Sequence, residues 1–66
     1  MEGSVRSIAM KFVPLHSRGG DYLVVVTNIA WLRTAEHGQT QVGIVGGSPL
    51  LVAGTIDEVA AAILAG

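Results

Sequence analysis

The sequence predicts an α+β domain: four or five short, mostly antiparallel strands in a strongly curved sheet or small barrel, followed by one C-terminal helix. Three observations carry this expectation. Branched apolar residues gather between Asp21 and Thr55 in short runs, separated by breaks rich in glycine, asparagine and proline. Those breaks space the runs at the intervals of a β-meander. One amphipathic stretch with a helix-start signature then closes the chain.

Residues 1–66 read as a single domain, with 1–4 expected to fray, 5–54 to form the meander and 55–65 the helix. Val5 to Val13 alternates, with Ile8, Met10 and Phe12 on one face, and reads as the first strand. Pro14 ends that strand or marks it as an edge, because proline cannot donate to a ladder. Leu15 to Asp21 is a loop in which Gly19-Gly20 supplies the backbone freedom for a reversal.

Tyr22 to Val26 is almost entirely β-branched or aromatic. Thr27-Asn28 interrupts it, either as a break or as a bulge in one long bent strand. Strict alternation then places Ile29, Trp31 and Arg33 on one side and Ala30, Leu32 and Thr34 on the other. Ala35 to Gln39 reads as a hairpin loop with Gly38 in the left-handed region. Thr40 to Val45 is the return strand, Gly46-Gly47-Ser48-Pro49 a turn, and Leu50 to Ala53 a short apolar last strand.

Thr55-Ile56-Asp57-Glu58 is a capping box, with Thr55 as N-cap and Glu58 three residues on. Ile56, Val59, Ala60, Ile63 and Leu64 recur at helical spacing and define the expected packing stripe. Beyond Glu58 the other side carries only alanines. Small uncharged residues allow close backbone approach, so Ala61, Ala62 and Ala65 are candidate contacts between subunits.

Sixty-six residues are close to the lower limit for autonomous folding, yet 50% of them are apolar. Chains this small compensate with disulfides, metals or association. Cysteine is absent, which excludes disulfides and thiolate metal sites. Two histidines and five carboxylates, scattered along the chain, suggest no zinc site, and no cofactor is expected. A homo-oligomer is therefore the expected state, with Trp31 and Ile29 as further interface candidates because aromatic and apolar residues are favoured there.

The formal net charge of −1 argues against a chain specialised for phosphate backbones. Arg6, Lys11, Arg18 and Arg33 are the candidate nucleic-acid contacts if they converge on one surface. His16 and His37 sit in loops and are candidates for facing a partner, without a carboxylate pair spaced to make them catalytic. Gly43 to Ser48 lacks the lysine and the following helix of a phosphate-binding loop. No stretch is long enough for a membrane helix and no signal peptide is visible, so a soluble cytoplasmic protein is the expectation.

Asn28-Ile29 and Leu32, the hairpin Glu36 to Thr40, Gly46-Gly47, Leu50-Leu51-Val52 and Thr55 to Val59 occur in an order that resembles the small bacterial flagellar regulators of the FlbD type. More loosely, it is similar to the β-rich LytTR DNA-binding domain. The resemblance implies a small regulatory or accessory protein without catalytic activity. The chain departs from both in Ala53-Gly54 and in its few basic residues, which weakens the implied DNA binding more than the implied fold. Three readings follow in order: a non-catalytic homo-oligomeric interaction or scaffold module, a nucleic-acid-binding transcriptional regulator, and a small-ligand binder at a subunit interface.

Overall fold

The structure is a computed structural model and describes residues 11–65. The expected fraying of 1–4, the strand reading over 5–10 and Arg6 lie outside the described residues. Five strands and one helix follow in order: β1 (Phe12–Leu15), β2 (Tyr22–Val25), β3 (Ile29–Thr34), β4 (Gln39–Ile44), β5 (Leu50–Ala53) and α1 (Ile56–Ala65). The α+β class and the single C-terminal helix agree with the sequence. The barrel does not.

The strands form two antiparallel sheets, β1-β2 and β3-β4-β5, and neither closes or curls strongly. The reason lies between β2 and β3. Val26 to Asn28 winds into one 3-10 turn, so β3 leaves in a new direction and does not pair with β2. Across the other gap, the N–H of Ala53 donates to the carbonyl of His16 at 2.7 Å, joining the end of β5 to the end of β1. Pro14 lies inside β1, opposite Leu23, instead of terminating it. Its edge placement follows the rule that a proline strand must lack a second neighbour at that point.

The core is small and dominated by valine. Val13 and Leu15 from β1, Val24 from β2, Val42 from β4, Val52 from β5 and Val59 from α1 are its buried members. Each fully buried side chain of this kind contributes roughly 1.5–3 kcal/mol. Ile29 and Leu32 of β3 pack at its margin. Thr40 is also fully buried, and its hydroxyl donates to the Gly54 carbonyl at 2.8 Å, so no polar side-chain atom in the described interior lacks a partner.

The helix starts as the sequence indicates. The Glu58 carboxylate accepts from the Thr55 N–H at 2.8 Å, and the Thr55 hydroxyl accepts from the Glu58 N–H at 3.2 Å. α1 lies against β1, β3 and β4. Its inward side is Val59 with Ala62 and Ile63, whereas Leu64 is 86% exposed. Two expectations are thereby corrected. Leu64 leaves the packing stripe and Ala62 joins it, because a ten-residue helix seated mainly through Val59 offers its last turn only a narrow contact.

Candidate interaction surface

One face of the β3-β4-β5 sheet covers the core and the other is open. On β4 Thr40 and Val42 are fully buried toward the core, and strand alternation puts Gln39, Gln41 and Gly43 on the opposite face, where Gln39 and Gly43 are covered as well. The ladder register sets their neighbours. Trp31 stands opposite Gly43, and Arg33 opposite Gln41, which on its other side faces Leu51. Gln39 pairs with Ala53. The open face therefore carries Trp31, Arg33, Gln41 and Leu51 in two adjoining rows.

A β-bulge makes this arrangement possible. Ile29 pairs with Ile44 and Trp31 with Gly43, so two residues of β3 span one step of β4 and Ala30 is the extra residue. Simple alternation would put Ile29 and Trp31 on the same side. The bulge instead turns Ile29 toward the core and leaves Trp31 outside, 45% exposed, which corrects that expectation. Ile29, read from sequence as a companion of Trp31 in a contact surface, is half-buried on the core side.

Beside these rows, Arg33, Glu36, His37, Gln39, Gln41 and Leu51 line a shallow depression of about 450 Å³. Its rim is the β3–β4 turn. His37 (φ 60°) and Gly38 (φ 70°) both adopt positive φ, and the Gln39 N–H donates to the Glu36 carbonyl at 3.2 Å. Consecutive positive φ values mark a type I′ turn, whose twist matches that of the strands. The turn is tied down further by the Gly54 N–H donating to the Gly38 carbonyl at 2.9 Å. The His37 and Glu36 side chains approach to 3.9 Å and are exposed.

The remaining candidates lie elsewhere. The His16 ring meets the Asp21 carboxylate at 2.9 Å across the exposed β1–β2 loop, where the Ser17 hydroxyl also bonds the Gly20 carbonyl. Arg18 sits in that loop, whereas Lys11 lies at the far end of the same hairpin, its carbonyl accepting from the Val26 N–H at 2.9 Å. Lys11 and Arg18 thus occupy opposite ends of the hairpin. Ala61 and Ala65 are exposed on the outer side of α1 together with Leu64.

A second cavity, about 190 Å³, opens between Pro14, His16, Gly54, Glu58 and Val59. It falls below the range of about 300–1,000 Å³ usual for small-molecule sites. Among the described residues no group of three histidines or carboxylates could hold a metal ion, and no helix is long and apolar enough to cross a membrane.

Sequence reasoning missed the outer face of the β1-β2 hairpin, where Phe12 is exposed and Leu23 is 66% exposed. The signal was available in the pairing of Phe12 with Val25 and Pro14 with Leu23, which becomes visible once the hairpin is drawn. Comparison with known protein families, with curated proteins and with solved structures finds no match to this chain.

Proposed function

We propose that this chain is a non-catalytic interaction module that works as a homo-oligomer, in the manner of a small scaffold or regulatory accessory protein. One observation carries the reading. All three aromatic residues, Phe12, Tyr22 and Trp31, lie at the surface, while among the described residues the buried hydrophobic core holds only valines and one leucine. Large apolar side chains left outside so small a core are the surface that association would cover. The chain stabilises its fold partly by sharing that surface.

The nucleic-acid reading has less support, because affinity for phosphate backbone grows with the number of cations acting together. Lys11 and Arg18 are held apart by the length of their hairpin. The test is solution mass by light scattering at low and high salt, with the ultraviolet absorbance ratio that detects carried nucleic acid. A defined oligomer at both salt concentrations, free of nucleic acid, is the expected result. A monomer at working concentrations overturns the reading, and nucleic acid released by salt replaces it with the regulator.

A further inference from the structure

Resting on the oligomer reading above, we propose that two copies join by antiparallel pairing of their β3 edges about a twofold axis through Leu32. Among the described strands β3 is an edge of its sheet. The Ala35 N–H donates to the Gln39 carbonyl at 2.9 Å, one step beyond the Thr34–Thr40 pair. Hydrogen-bonded and non-bonded pairs alternate along an antiparallel ladder. Arg33 and Ala35 therefore turn their backbone groups toward β4, and Leu32 and Thr34 turn theirs outward. No described residue bonds to those outward groups. The strand carries no lysine or proline to block pairing, only Arg33 and the bulge at Ala30.

Side chains select the register. With Leu32 opposite the partner's Leu32, Trp31 faces the partner's Arg33 and Arg33 faces the partner's Trp31, all on the open face. The indole leans from β3 onto Gly43 of β4, so each guanidinium reaches across the seam and over the ring, a favourable pairing of cation and aromatic ring. An axis through Arg33 sets two arginines opposite each other, which is unfavourable. An axis through Trp31 sets the bulge residue Ala30 next to the central pair, whereas the Leu32 register moves it to the ends of the shared ladder, opposite the partner's Thr34. Of these three registers, the one through Leu32 pairs a cation with an aromatic ring on one face and joins half-buried leucines on the other. The two three-stranded sheets become one, with both α1 helices on the same side.

The sequence lacks cysteine, so every disulfide formed by a single-cysteine variant is between copies. Facing residues in a hydrogen-bonded antiparallel pair have Cα atoms about 5.5 Å apart. That is inside the bridgeable range of about 4.4–6.8 Å. Mild oxidation of Leu32→Cys is expected to convert most of the protein to a covalent dimer. Trp31→Cys and Arg33→Cys, oxidised separately, are expected to stay reduced, and a mixture of the two to cross-link.

Charge variants supply an independent readout by sedimentation, with circular dichroism as the check on folding. Trp31→Glu, which faces the partner's Arg33, retains the dimer. Trp31→Lys dissociates it, and adding Arg33→Glu to Trp31→Lys restores it. An oligomer in which the cysteine at 32 stays reduced, or whose mass ignores these charges, has another occupant on this edge. That result overturns the β3 seam and leaves the oligomer reading standing. A monomeric parent chain overturns both.

Discussion

The indole of Trp31 occupies the space that a β-carbon on Gly43, its partner across the β3–β4 ladder, would need. Glycine is depleted in strands, yet here its missing side chain lets an aromatic ring lie against the backbone. The pair explains how Gly43 is buried on the face away from the core.

Gly43→Ala is expected to displace the indole, because the added methyl collides with ring atoms. Trp31 is the only tryptophan, so its fluorescence reports the change directly as a shift to longer wavelength. The stability cost is about 1–3 kcal/mol, in the range of overpacking substitutions. An unchanged emission spectrum would show that the ring does not rest on Gly43 in solution.

Thr40→Val preserves shape at a fully buried site but removes the hydroxyl that donates to Gly54. The Gly54 carbonyl loses a partner, and the expected loss is about 1–2 kcal/mol in urea unfolding. Since Gly54 also donates to Gly38, the effect should spread to the exchange rate of the Gly54 amide.

Thr55→Ala removes one half of the reciprocal cap and should cost about 1 kcal/mol. Glu58→Ala removes the other half. Because the two bonds share one geometry, the double variant should lose less than the two single losses added together, which a double-mutant cycle measures.

Val52→Ala tests how thin the core is. Deleting two methyl groups from a fully buried site costs about 2 kcal/mol or more, counting the cavity. Stability of roughly 0.05–0.15 kcal/mol per residue leaves a chain of this length little reserve. The variant is expected to be partly unfolded at room temperature at low protein concentration, as near-ultraviolet circular dichroism would reveal.

His37→Asn is expected to stabilise by a few tenths of a kcal/mol to about 1 kcal/mol. His37 holds positive φ, and Asn-Gly is the favoured pair at the centre of a type I′ turn. A rise in melting temperature without a change in oligomer mass would confine the role of His37 to the turn.

The elements signalled by local chemistry were legible in the sequence. The capping box at Thr55 and Glu58 starts α1, Gly38 lies in its left-handed turn, and Leu50 to Ala53 forms β5. Thr27-Asn28 interrupts the apolar run as a 3-10 turn. The bulge at Ala30 was not legible, because nothing in Ile-Ala-Trp announces an extra residue. That one residue puts Ile29 on the core side, opposite Trp31 and Arg33. The barrel failed for a related reason: closure depends on how neighbouring hairpins are aimed, and a single bond between Ala53 and His16 does not amount to a ladder. Leu64 was misplaced because periodicity gives a helical stripe without saying how far along the helix the core extends.

Among the described residues, every ladder joins strands that are consecutive along the chain: β1 with β2, β3 with β4, and β4 with β5. Pairings between sequence neighbours close short loops, and chains dominated by such contacts reach their transition state quickly. Each hairpin can zip independently within about 1–10 μs. The distant link from Ala53 to His16 and the docking of α1 then come last, so acquisition of helical signal should lag behind sheet formation in rapid-mixing experiments.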